Sequence, residues 1–115
     1  MGTVRQDIVF RQGAAFELNV QARNADGTVK DLTGYSGKMQ VRPTVESATK
    51  YVDIPVVGSI TINGPLGQVA VLVPSDVTAA MTWESGVFDL EVSTNATNVI
   101  RLVEGFASLS KEVTR

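Results

Sequence analysis

Seven consecutive residues, Phe16-Glu17-Leu18-Asn19-Val20-Gln21-Ala22, alternate apolar and polar without a break. A period of two is the signature of a β-strand with one buried face, here Phe16, Leu18, Val20 and Ala22, and one wet face, Glu17, Asn19 and Gln21. Turn residues follow at Asn24-Ala25-Asp26-Gly27, and the alternation resumes at Lys38-Met39-Gln40-Val41-Arg42 with Met39 and Val41 inward. Asp-Gly between two alternating runs is a strong short-range hairpin signal, so the stretch predicts an antiparallel β architecture, with Leu32 and Tyr35 anchoring the loop.

The rest of the chain repeats the theme. Ile8-Val9-Phe10 opens a short strand before a turn at Gly13. Residues 43–50 are small and polar without a period, which reads as the longest loop. Pro55 interrupts residues 51–57 and demotes them to an edge strand or extended connection, because proline cannot donate to a ladder. Ser59-Ile60-Thr61-Ile62 and the run 68–73 flank a Gly- and Pro-containing loop at 63–67, a second hairpin. At Pro74-Ser75-Asp76 the capping chemistry, with Val77, Ala80 and Met81 behind it, predicts one helical turn near 75–81, with Ser75 as cap, bridging two sheets. Three further strands are expected at 87–92, 99–103 and 106–109, with a turn at 93–98 and a bulge or bend at Gly105. Trp83 and Phe88 are the expected bulky anchors, the indole only half covered.

Seven or eight short strands separated by turn signals every ~8 to 12 residues favour an all-β, antiparallel two-sheet sandwich of immunoglobulin-like type over a small barrel. The 115 residues fit one domain, 1–115, with an N-terminal arm at 1–6 and a C-terminal tail at 111–115.

Composition narrows the chemistry. Ten basic and twelve acidic residues give a formal charge of -2, and neither sign forms a block. A nucleic-acid interface needs a cationic surface, so none is expected. No apolar run approaches the roughly 20 residues of a membrane span, and Met1-Gly2-Thr3-Val4-Arg5 lacks a signal core, so no membrane is expected and synthesis in a cytoplasm is. Cysteine and histidine are both absent. Their absence removes the thiolate nucleophile, the usual zinc ligands and the side chain best suited to general-base work near neutrality, so no enzyme activity, cofactor or metal is expected.

The remaining polar constellations have structural explanations. Asn24, Asp26 and Asp31 around Gly27 offer oxygen ligands for calcium but fit Asx-type turns better. Asp89 and Glu91, two apart on a strand, share a face with Arg101 as a cross-strand partner rather than forming an acid and base pair. Lys30, Lys38 and Arg42 read either as a face for an acidic partner or as charges that discourage stray strand pairing.

Taken in order, Gln12-Gly13, Phe16-Glu17-Leu18, Asp26-Gly27, Asp31-Leu32-Thr33-Gly34-Tyr35, Met39-Gln40-Val41-Arg42, Asp89-Leu90-Glu91-Val92 and Arg101-Leu102 before Gly105 resemble a family of small β-sandwich virion structural proteins of tailed bacteriophages and prophages. The set is similar to the N-terminal domain of phage baseplate upper proteins. The resemblance spans nearly the whole chain, to Lys111-Glu112-Val113-Thr114-Arg115, and carries no catalytic residues.

It implies a non-enzymatic assembly or adaptor module in the tail, baseplate, neck or fibre attachment, present in symmetric copies and contacting other virion proteins. Without a receptor-binding domain after Arg115 the chain departs from baseplate upper proteins, which turns the expectation from host recognition to an adaptor. Capsid decoration is one alternative. A free-standing carbohydrate- or protein-binding sandwich using Trp83, Tyr35 and Tyr51 is another. The arm, the 43–50 loop and the tail supply the expected partner contacts: Arg5, Gln6, Thr44, Val45, Glu46, Lys50, Glu112 and Arg115.

Overall fold

The structure, a computed structural model, describes residues 3–95 and 97–114. In chain order its elements are β1 (Val4–Arg5), β2 (Ile8–Arg11), β3 (Phe16–Gln21), β4 (Ser36–Arg42), β5 (Val52–Ile54), β6 (Ser59–Asn63), β7 (Gln68–Val73), α1 (Ser75–Ala79), β8 (Ser85–Asn95) and β9 (Asn98–Ser110). They build a two-sheet sandwich. A six-stranded sheet runs β1-β9-β8-β4-β5, with β2 also on β9, and a three-stranded sheet runs β3-β7-β6. Among the described residues nine strands form where seven or eight were expected: Val4–Arg5, within the expected N-terminal arm, is itself a strand, and β1 and β2 pair separately, both parallel, with β9.

The core lies between the sheets and follows the period-two pattern. Phe16, Leu18, Val69, Val71 and Val73 face in from the small sheet, and Phe10, Met39, Val41, Ile54, Phe88, Leu90, Val92, Val103 and Leu109 from the large one, all buried. Phe10 lies at the aromatic centre, stacked on Phe16 with centroids 4.1 Å apart and edge-on to Trp83 at 5.6 Å. Trp83 is 8% exposed rather than half covered, because Tyr51 stacks on it from outside.

The Asp26-Gly27 turn forms but does not join neighbouring strands. Asn24 N donates to Thr28 O at 2.8 Å and Gly27 takes the left-handed φ of 89° that the turn requires. Its ladder is a single bridge, Arg23 to Val29, plus Lys30 N to Ala22 O at 2.9 Å. The chain then passes through buried Leu32 and crosses to the other sheet, so β3 and β4 lie in opposite layers. The second hairpin, β6–β7, pairs as its sequence predicts, Asn63 opposite Gln68. Pro55 follows β5, the short edge strand.

Four further local expectations are corrected. Ser75 is the first helical residue rather than the cap: Pro74 holds the cap position and no side-chain bond caps the helix. The buried member of α1 is Thr78, whose hydroxyl donates to Ala14 O (2.8 Å) or Ser75 O (3.0 Å) and accepts from Gly13 N (3.2 Å), tying the helix to the β2–β3 turn. The turn at 93–98 is shorter than expected, since Asn95 pairs with Asn98 and the two strands run on into it.

The runs 99–103 and 106–109 are one strand, and of the two register shifts in its pairing with β8 one falls between Leu90 and Glu91, where β9 carries the extra residue Leu102, and the other between Ser93 and Asn95. Both Leu102 and Val103 are thereby buried. Gly105 pairs regularly with Phe88. It is glycine for a different reason, namely that the Gln6 carbonyl occupies the space where a Cβ would project.

Candidate functional site

Successive outward residues of the large sheet form rows across the strands. Lys38, Glu91 and Arg101 make one row, Gln40, Asp89 and Glu104 the next, and Arg42, Val87 and Phe106 the third. Arg5 on β1 lies beside Glu104. The 43–50 loop rises beside this face and closes one side of a groove of about 810 Å³, lined by Arg5, Val45, Glu46 and the outward residues of β4, β8 and β9.

Most charges in the groove already have partners. Arg101 reaches Asp89 (3.4 Å) and Glu104 (3.6 Å), the cross-strand partnership expected from sequence, though with Asp89 rather than its register neighbour Glu91. Arg42 donates to Ser47 O (2.6 Å) and Gln40 Oε1 (2.8 Å), pinning the loop to the sheet. Gln40 Nε2 donates to Asp53 Oδ1 at 3.1 Å. Lys38 and Arg42 therefore lie on an interior strand, flanked by β5 and β8, and do not guard a sheet edge. Burial in the groove raises the Asp89 carboxyl above the usual carboxylate range; Arg101 opposes that rise and Glu104 adds to it.

The apolar element is Phe106, 56% exposed, with the Arg5 guanidinium carbon 5.1 Å from its ring centroid. Val45, 78% exposed, projects from the loop. Phe106 was missed as a contact residue. Its signal was available, because two residues beyond Glu104 on the same strand it shares the wet face, where a lone aromatic stands out.

The expected contact residues divide. Arg5, Val45 and Glu46, from two distant parts of the chain, meet in the groove. Gln6 lies between β1 and β2, its N–H donating to Glu104 O at 2.9 Å. Thr44 holds the loop turn through its carbonyl, which accepts from Ser47 N at 3.2 Å. Lys50 is elsewhere, 3.7 Å from Asp53 and beside a smaller cleft formed with Tyr51, Trp83 and Met81. Glu112 packs its carboxylate against Gly13 and donates its N–H to Gln12 Oε1 at 2.9 Å, so the tail lies on the β2–β3 turn. Arg115 lies outside the described residues.

The Asn24 to Asp31 oxygens are used internally. Asp26 Oδ1 accepts from the Thr28 hydroxyl and N–H, and Asp31 Oδ1 from those of Thr33. Both carboxyls titrate below the usual value for that reason, the hydroxyl bond being the larger cause. Among the described residues no three metal-binding side chains converge, and no helix is long and apolar enough to cross a membrane. No protein-family model matches the chain, and no curated protein does.

Proposed function

We propose that the protein is a non-enzymatic structural component of a tailed-phage virion, an assembly or adaptor module that docks other virion proteins in the groove of its larger sheet. Support comes from the whole-chain resemblance and from the character of the groove. The carrying observation is the half-exposed Phe106 beneath Arg5, set beside the ion-paired cluster of Arg101 with Asp89 and Glu104. Protein contact surfaces concentrate binding energy in such aromatic and arginine residues, while paired charges around them fix orientation at little net gain. A repeating building block requires a shaped surface of this kind and no reactive centre.

No observation favours the sugar-binding alternative. The Trp83 ring lies under Tyr51, and the Lys30 ammonium lies 5.9 Å from the centroid of the Tyr35 ring.

The test is mass spectrometry of purified particles from the phage or induced prophage that encodes the chain, with gold labelling to locate it. The polypeptide is expected in stoichiometric amount, and Phe106→Asp is expected to fold normally yet be excluded from particles. Particles devoid of the polypeptide overturn the virion role; normal incorporation of the variant overturns the groove as the docking surface.

A further inference from the structure

A sheet edge exposes a row of unpaired backbone donors and acceptors, and stable proteins blunt such edges with charges, prolines, breaks or short strands. Among the described residues, three of the four sheet edges are blunted. β5 has three residues, Asp53 at its centre and Pro55 just after it. The β1–β2 edge is broken at Gln6 and Asp7, with Asp7 Oδ1 taking the Phe106 N–H. β3 carries Glu17.

The fourth edge is β6, Ser59-Ile60-Thr61-Ile62-Asn63, which has no charge, proline or break and pairs with β7 on one side only. Among the described residues, no hydrogen bond links the Ser59, Thr61 or Asn63 side chain to another part of the chain. The outward residues of the adjoining strand, Gln68, Ala70 and Leu72, add no charge.

The strand also reads alike in both directions about its centre. We propose that β6 is a self-association edge, where a second copy of this chain adds its own β6 antiparallel across a twofold axis at Thr61. The two three-stranded sheets then become one continuous six-stranded sheet. This symmetry sets Thr61 opposite the second copy's Thr61, Ile60 opposite its Ile62 and Ser59 opposite its Asn63.

Every pair matches in kind. On the inner face the isoleucines, only half-buried in the single chain, complete their burial against each other. On the outer face hydroxyl meets hydroxyl and hydroxyl meets amide, groups that both donate and accept, and no like charges oppose. Gly37 supports the arrangement from beneath, since its missing Cβ leaves the space filled by the Ile60 side chain, seating β6 on β4. Any shifted register loses pairs, because Gly58 and Gly64 carry the chain into turns at both ends. The inference concerns the isolated chain and holds whether or not the virion role does.

Sedimentation velocity from low micromolar concentration to about 1 mM tests it, with charge-swapped variants at the axis. The wild type is expected to dimerise. Thr61→Lys and Thr61→Glu, exposed substitutions that place like charges across the axis, are each expected to weaken dimerisation about fivefold or more, and an equimolar mixture to restore it. Because the chain has no cysteine, Thr61→Cys provides an independent readout: mild oxidation is expected to link it into a disulfide dimer much faster than Ser59→Cys, which faces the second copy's position 63 and lies away from its own counterpart. A wild type monomeric throughout, a mixture no stronger than either variant alone, or equal cross-linking at the two positions overturns the proposal.

Discussion

The Tyr51 ring lies on the Trp83 indole with centroids 5.4 Å apart and planes 5° from parallel. Tyr51 follows the 43–50 loop and its N–H is held by Val41 O at 2.7 Å, so the sheet positions the ring that screens the indole from water. Tyr51→Ala is expected to destabilise the domain by about 1 kcal/mol, the worth of an aromatic pair beyond simple burial. It should also shift the emission of the single tryptophan to longer wavelength. Unchanged fluorescence shows that the indole is shielded without Tyr51.

Thr78 ties α1 to the β2–β3 turn through one buried hydroxyl. Thr78→Val keeps the shape but leaves the Gly13 N–H and Ala14 carbonyl without that partner, at an expected loss of about 1 to 3 kcal/mol. Thr78→Ser, which keeps the oxygen, should recover most of it in urea unfolding. Equal loss in both variants assigns the effect to the methyl group instead.

Gly105→Ala sets a methyl group against the Gln6 carbonyl. Backbone must shift to admit it, with an expected loss of about 1 to 3 kcal/mol. In hydrogen exchange, protection of Val4, Arg5 and Gln6 should fall while β3 and β7 remain protected. Uniform loss across both sheets argues against a local cause.

Asp89 gives the domain a pH signature opposite to that of an ordinary ion-paired carboxylate. Its pKa is raised in the folded state, first by burial, against an unfolded value of 3.8. Its contribution is fully present below that value and is lost as pH rises through the folded-state value, where the native protein must ionise a partly desolvated carboxyl. Asp26 and Asp31, lowered by hydrogen bonds, act in the other sense: their contribution is present above 3.8 and lost as pH falls. Asp89→Asn removes only the first effect, so from about pH 3 to 6 its stability relative to wild type should climb. Parallel pH curves for the two proteins contradict the raised value.

Strand identity was legible wherever alternation was regular, as in Phe16 to Ala22 and in the β6–β7 hairpin, because side-chain period is a local property. Partnership was less so. Asp26 and Gly27 specify a turn, but whether the strands beyond it pair depends on residues far away, and buried Leu32 draws the chain into the opposite layer. Gly105 was correctly marked as special, yet a lone glycine in a strand signals a bulge and a close backbone approach equally well. At the site, Arg5, Val45 and Glu46 were legible as loop and arm residues. Their meeting beside Phe106 was not, since it requires the parallel pairing of the N-terminal segment with β9.

That pairing also sets an order of events. Ile8 and Phe10 have their sheet partners in Ala107 and Leu109, far later along the chain, and contacts so distant along the sequence make closure slow. While the chain is being made, both side chains stay without their pairing strand, and the sandwich seals only after synthesis has reached β9. A nascent chain stalled before that point presents an unfinished sheet for chaperones or stray strands to engage.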